Sequence, residues 1–198
     1  MVDTTKIIIL RKIKFSESDL IIHGLSQRGG RLNFLARGAL KSRRRFGGGV
    51  LEPTHYVQVT YHRKSSSPQE GQLNFLQEAY LIDDFQGLRE DYSRLELAFH
   101  FIQLVSQTSQ EGDEGSPELF NLLGHALRAC SQSLNLDILK THFELKLLHQ
   151  QGVMPAETQH LSAFSRPLSH HGEIQIGRTE LNQVSQQVHN CLKTYLML

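Results

Sequence analysis

The sequence has few cysteines and no long hydrophobic run, and both absences exclude whole classes of protein. Its 198 residues include only two cysteines, Cys130 and Cys191, too few for a disulfide framework or a four-thiolate zinc site. Both lie in helical patterns, so we predict buried, reduced thiols. No apolar run approaches the roughly 18 residues of a membrane-spanning helix, and no membrane association is expected.

The N-terminus also lacks the pattern of a signal peptide. Its apolar stretch is only the four residues from Ile7 to Leu10, and a basic pair follows at once. We therefore expect a cytoplasmic protein.

Motifs of common enzymes are missing as well. There is no Gly-x-Ser-x-Gly elbow and no His-Glu-x-x-His pair, and the adjacent carboxylates of Asp83 and Asp84 point apart. His160, His170 and His171 are irregularly spaced and lack supporting cysteines, which favours polar loop residues over metal ligands. We predict no catalytic residue, no metal site and no cofactor.

The densest charge feature is the stretch LKSRRRFGGGVLEP at residues 40–53. A phosphate-binding P-loop requires Gly-Lys-Ser/Thr opening a helix, whereas here the glycines precede Val50 and Pro53 prevents a helix from following. The glycines are better suited to a turn. Phe46, between the arginines and the glycines, is equally compatible with a core position and with an exposed platform for a base.

Charge is divided unevenly along the chain. Residues 1–64 hold 13 Lys and Arg against 4 Asp and Glu, a net charge of +9, while the rest holds 8 against 16, a net charge of −8. The two parts give the whole-chain net charge of +1. Such a division predicts one module that faces a polyanion and another that faces a different partner.

The basic part has the pattern of a small β-barrel. Alternation places Leu32 and Phe34 on one face of their strand, and Val57, Val59 and Tyr61 on one face of theirs. Five short strands in about eighty residues favour an oligonucleotide-binding (OB) fold. The strand segments are 6–15, 19–26, 31–37, 54–62 and 71–82, with a flexible loop at RKSSSPQEG.

From about residue 84 the hydrophobic period becomes helical. Helices are predicted from about Tyr92 on a face with Phe99 and Ile102, from Pro117, from about Leu136 to Gln150, and from about Thr179. The fold class is therefore α+β. The predicted domains are an OB-fold domain at 1–82, a helical domain at 83–153, and an irregular segment with a terminal helix at 154–198.

Cations and one aromatic side chain of the barrel part are candidates for nucleic-acid binding, because single-strand binders combine a positive groove with aromatic platforms. Tyr56 lies on the polar face of its strand and is the candidate for stacking. The full set is Lys12, Lys14, Arg28, Arg31, Arg37, Lys41, Arg43, Arg44, Arg45, Tyr56 and Arg63.

Residues 5–155 resemble the bacterial recombination mediators of the RecO family. The matching residues are Leu10-Arg11, Glu17-Ser18-Asp19, Gly30-Arg31, Ala36-Arg37-Gly38-Ala39 and Leu51-Glu52-Pro53. The resemblance implies an OB-fold followed by a helical domain. It implies binding of single- and double-stranded DNA, annealing of complementary strands, and loading of RecA with RecR onto strands coated by single-strand-binding protein (SSB).

The family's helical domain receives the acidic C-terminal tail of SSB. The resemblance places this site near Lys140, on the helix that carries Phe143. Many members hold a four-cysteine zinc motif after a Gly-x-x-Pro stretch; Gly152 and Pro155 are present here, but the cysteines are not, so no structural zinc is expected. The chain also ends at LKTYLML, where members commonly continue with a basic tail.

The leading hypothesis is a non-enzymatic mediator of DNA repair and recombination that associates with the nucleoid. The alternatives are a general OB-type RNA-binding or assembly module and a cryptic phosphoesterase.

Overall fold

The described part of the chain folds into five strands followed by helices, as the two hydrophobic periods predict. The computed structural model describes residues 1–63, 73–112, 117–155, 158 and 162–196. Its elements are β1 (Val2–Lys14), β2 (Leu20–Ser26), β3 (Arg31–Ala36), β4 (Tyr56–His62), β5 (Leu73–Asp83), α1 (Tyr92–Thr108), α2 (Pro117–Gln132), α3 (Leu136–Gln150) and α4 (Arg178–Leu196). The predicted α+β class is confirmed. The predicted loop at 63–71, apart from Arg63, lies outside the described residues.

The five strands close on themselves in the order β1-β2-β3-β5-β4. The β3 and β5 strands pair in parallel and every other pair is antiparallel. The 13-residue β1 serves two partners, because residues 2–8 pair with β4 and residues 7–14 pair with β2. A register shift between Ile9 and Arg11 lets this long strand bend around the sheet. The predicted OB-like fold is confirmed.

The barrel interior is filled by the alternating side chains that the sequence indicated. Phe34 and Tyr61 are fully buried, and their rings meet edge to face with centroids 5.1 Å apart. Gly24 on β2 allows close packing, because a Cβ there would come within 2.6 Å of the Ile7 side chain. The core is therefore built from the inward faces of all the strands.

Two compact units divide the chain: Met1–Phe85 with Ile102–Asn121, and Gln86–Phe101 with Leu122–Leu198. In the second unit, the carboxylate of Asp91 caps α1 by accepting from the backbone N–H of Arg94. Helix α3 ends at Gln150, and Gly152 just beyond it has a positive φ of 72°, which supports a closing turn in which Val153 N–H donates to the Leu148 carbonyl. These signals explain the observed helix limits.

The buried face of helix α1 differs from the face that the sequence predicts. Tyr92 and Phe99 are 79% and 45% exposed, whereas Leu97, Ala98 and Phe101 are buried. The helix is apolar around much of its circumference, so periodicity alone did not determine which stripe is covered.

Between α3 and α4 the described chain is irregular, with short 3₁₀ turns at Ser162–Ser165 and Leu168–Glu173. His171 is buried there, with Nδ1 bonded to the Leu168 carbonyl and Nε2 bonded to the Ser133 hydroxyl. Among the described residues, none of the helices is long and apolar enough to cross a membrane.

Candidate nucleic-acid interface

The loop between β3 and β4 is fastened to the barrel by its backbone. The N–H of Ala79 on β5 donates to the Arg45 carbonyl over 3.2 Å. Gly47–Gly49 forms a single 3₁₀ turn in which Gly48 and Gly49 both have φ of 71°, a conformation that favours glycine. No helix grows from this turn, so its geometry differs from a P-loop.

Apolar residues of the same loop complete the barrel core. Phe46 is only 5% exposed and belongs to the core cluster together with Ala39, Val50 and Leu51. The Arg45 guanidinium lies 5.1 Å from the centre of the Phe46 ring and donates to the Arg37 carbonyl over 2.9 Å. The sequence allowed Phe46 to be either a core residue or an exposed platform for a base, and the structure shows it in the core.

The turn between β1 and β2 is joined to this loop by two hydrogen bonds. Asp19 Oδ1 accepts from the backbone N–H of Gly38 over 2.8 Å, and the Ser18 carbonyl accepts from the N–H of Leu40 over 3.0 Å. The bond from Gly38 is the main cause of a lowered pKa for the Asp19 carboxyl, and nearby Arg37 lowers it further. The turn and the loop therefore form one continuous surface.

This surface carries the densest group of exposed cations in the described chain. We define the basic surface as Lys14, Arg37, Lys41, Arg43, Arg44 and Arg45, each of which is exposed. Within the described residues, no carboxylate forms an ion pair with any of them. A set of exposed cations that lack ion-pair partners in the described chain and lie on short, anchored segments is suited to binding phosphate groups.

Three other predicted residues lie at the end of the sheet opposite the basic surface. The register pairs Lys14 with Leu20 and Leu20 with Ala36, which places the basic surface at one end of the sheet. Arg31 pairs with Leu25 at the other end of β2. That other end also carries Arg28, in the β2–β3 turn, and Arg63, which follows β4 where it pairs with the start of β1.

Several of the remaining cations are neutralised by carboxylates. Arg31 donates to Glu111 over 3.0 Å and Arg63 to Asp3 over 2.9 Å. Lys12 contacts Glu52 at 2.6 Å. Burial alone would raise the pKa of Asp3, but hydrogen bonds from Arg63 and from the Thr4 N–H outweigh it and lower the pKa. These cations are held by intramolecular pairs.

Tyr56 is half-buried and is not one of the exposed side chains of the basic surface. Its ring packs edge-on against Phe120 with centroids 5.8 Å apart, and its register partner is Ile8 in the middle of β1. Sequence reasoning missed Asp19, which fastens the arginine loop. The signal was the Ser-Glu-Ser-Asp turn that directly follows the first strand.

Residues predicted for a second site lie on α3 in the other unit. Lys140 is half-buried, and within the described chain it forms no ion pair. Phe143 is fully buried, with its ring centroid 4.1 Å from that of Phe101. Six residues after Lys140 on the same helix, burial lowers the pKa of the half-buried Lys146. Of the two predicted residues, Lys140 and Phe143, only Lys140 therefore offers an accessible group, its ammonium.

No group of three or more potential metal ligands occurs among the residues that the structure describes. His170 contacts Glu173 over 2.9 Å, His171 is engaged as described above, and His160 lies outside the described residues. Cys130 is buried, as predicted, and burial raises the pKa of its thiol to about 12. The prediction of a buried thiol is wrong for Cys191, which is half-buried and donates to the Val153 carbonyl.

Comparison with known proteins gives matches along most of the chain. Residues 1–85 match the family described as recombination protein O N terminal, and residues 89–171 match recombination protein O C terminal. The DNA repair protein RecO of Maridesulfovibrio salexigens is 34% identical over 152 residues, covering 77% of this chain and 59% of that protein. The RecO protein of Syntrophus aciditrophicus is 35% identical over 148 residues, covering 75% and 55%. The chain therefore spans less than two thirds of the length of these relatives.

Proposed function

This chain belongs to the RecO family, and on that premise we propose that it works in DNA repair and recombination by binding single- and double-stranded DNA and annealing complementary strands. The observation that carries the proposal is the basic surface, in which six exposed cations form no ion pair with a carboxylate of the described chain. The proposed roles follow the predicted division, with DNA binding in residues 1–82 and partner binding in residues 83–153.

Annealing requires two polyanions to approach each other. Cations bound to the phosphates release condensed counterions and reduce the repulsion between the strands. Contacts to phosphate leave the base edges free to pair, and they carry no sequence information. A basic surface of this kind supports annealing without catalysis, so we propose that the chain is not an enzyme.

The cations at the other end of the sheet have a secondary role in the proposed DNA binding. Arg28, Arg31 and Arg63 would contact DNA only along a path that continues from the basic surface to that other end. Lys12, two residues before Lys14 on β1, lies beside the basic surface but is paired with Glu52. We propose that Arg28, Arg31, Arg63, Lys12 and Tyr56 make secondary contacts with the DNA. The six cations of the basic surface supply the main phosphate contacts.

The proposed partners are RecR, the C-terminal tail of SSB and, indirectly, RecA. Lys140 supplies a positive charge on a helix of the acidic half of the chain, and an acidic tail would pair with it. Phe143, three residues further along the same helix, would contribute to this site only by stabilising the helix, because its ring is buried against Phe101. Because it would act on SSB-coated DNA, we propose that the protein works in the cytoplasm, at the nucleoid.

The proposal is tested by strand annealing on naked and SSB-coated DNA across a range of salt concentrations. Complementary oligonucleotides should anneal faster with the protein than without it, and the acceleration should weaken as salt rises. Coated strands should also be annealed. A preference for RNA with no effect on coated DNA would instead support a general RNA-binding or assembly module, and turnover of a phosphoester would support an enzyme.

A further inference from the structure

A large aromatic side chain stands exposed in the turn between β1 and β2. Phe15 follows the last residue of β1 and is 60% exposed. Its backbone N–H donates to the Asp19 carbonyl over 3.0 Å, which closes the turn. Phe15 is therefore presented by a closed turn on the barrel and does not contribute to the core.

The surroundings of this ring are apolar and cationic at once. Leu40, 52% exposed, lies on the arginine loop, and its N–H is bonded to the Ser18 carbonyl of the Phe15 turn. Lys14 precedes Phe15 in the chain, and Lys41 follows Leu40. Isolated exposed apolar residues are common on proteins, but here two of them lie on joined segments of a surface suited to phosphate.

Resting on the DNA binding proposed above, we infer that Phe15 is a stacking platform for an unpaired base of single-stranded DNA. Phosphates on either side of that base would be held by the flanking cations of the basic surface. Aromatic platforms beside positive grooves are how single-strand binders gain affinity without reading sequence. The turn between the first two strands is also one of the segments that OB-folds use to bind oligonucleotides.

This contact distinguishes single strands from duplex. Bases within a duplex are already stacked on their neighbours, so the Phe15 ring has no face to cover there, whereas phosphate contacts remain available in both forms. The platform therefore adds affinity only for single strands. The phosphate contacts of the basic surface add affinity for both.

Phe15→Ala and Phe15→Leu, made in the full chain, test the inference by their affinities for single-stranded and duplex DNA. Loss of one stacked base should weaken single-strand binding by about 5- to 150-fold, with duplex binding little changed. Phe15→Leu keeps an apolar side chain without a π-face and should behave like Phe15→Ala. Phe15→Tyr should retain the wild-type affinity.

Fluorescence gives an independent readout, because the chain contains no tryptophan. The Phe15→Trp variant should be quenched by single-stranded DNA much more than by duplex. Leu134→Trp, at an exposed position between α2 and α3, is the matched control and should be quenched by neither. Similar quenching of both variants, or quenching of the Phe15→Trp variant by duplex alone, would overturn the inference.

The outcomes separate this inference from the proposed function. If wild-type protein binds single strands and Phe15→Ala binds them equally well, Phe15 is not a platform and the DNA-binding proposal stands. If wild-type protein binds no DNA, both fail. A change of sedimentation on Phe15→Ala with unchanged DNA affinity would show that Phe15 contacts a second copy of the chain, and would also refute the platform.

Discussion

The carboxylate of Asp19 accepts a hydrogen bond of 2.8 Å from the backbone N–H of Gly38. This contact joins the first turn of the barrel to the loop that carries three consecutive arginines. Gly38 itself has a positive φ of 64°, so the bond holds a residue whose conformation most side chains avoid. The arginines are thus presented from a backbone anchored at both Gly38 and Arg45.

Replacing Asp19 by alanine should loosen the loop locally. With the acceptor gone, the amides of Gly38 and Leu40 should exchange with solvent faster, while amides in the middle of β1 keep their protection. Asp19→Asn retains an acceptor oxygen and should show a smaller effect. Site-resolved hydrogen exchange measures this, and unchanged exchange at Gly38 in the alanine variant would show that the bond does not anchor the loop.

Replacing Phe46 by alanine should destabilise the barrel. Its side chain is 5% exposed within the core cluster, and removal of a buried phenylalanine typically costs about 3–5 kcal/mol. Phe46→Leu should lose less, since it fills part of the same space. Chemical denaturation of the two variants measures the difference. Wild-type stability combined with weakened single-strand binding would show instead that Phe46 is an exposed platform.

The free energy of unfolding should fall in mild acid because of His142. Burial is the main cause that lowers the pKa of this imidazole from 6.5 to about 4; the charge of Lys146 adds to it, and hydrogen bonds to the Phe164 and Arg166 carbonyls oppose it. The unfolded chain therefore takes up a proton at a higher pH than the folded protein does. Stability is fully present above about pH 6.5 and is lost between pH 6.5 and 4, by up to about 3 kcal/mol.

Denaturation at several pH values, compared between wild type and His142→Gln, isolates this contribution. The variant has no group that titrates at the site, so its stability should depend less steeply on pH in that window. Identical pH profiles for the two proteins would show that His142 does not contribute to the loss of stability in acid.

Reversing the charge of Lys140 should weaken binding of an acidic SSB tail peptide, with little change in direct DNA affinity. The half-buried ammonium forms no ion pair within the described residues, so it is available to a carboxylate. Isothermal titration calorimetry with Lys140→Glu measures the effect, and Lys193→Glu on α4 is a matched charge reversal. Equal peptide affinity in wild type and Lys140→Glu would refute the site. Phe143→Ala is unsuitable, because the buried ring supports the fold.

The strands could be predicted from sequence because inward positions such as Phe34 and Val59 alternate with polar ones. The grouping of the cations could not be predicted this way. It depends on which residues meet across strands, and pairings such as Lys14 with Leu20 and Leu20 with Ala36 are fixed only by the closed sheet. Sequence likewise did not show that Glu111 and Asp3 compensate two of the candidate arginines.

The affinity for single-stranded DNA as a function of salt tests the basic surface most directly. If six phosphates are contacted, the logarithm of the association constant should fall with the logarithm of salt at a slope of about −4. The double variant Arg43→Ala/Arg44→Ala should reduce this to about −3, with unchanged thermal stability, while Lys193→Ala keeps the wild-type slope. Arg45 is left in place because it supports the loop. A slope equal to that of wild type in the double variant would show that Arg43 and Arg44 do not contact phosphate, contrary to the proposed role of the basic surface.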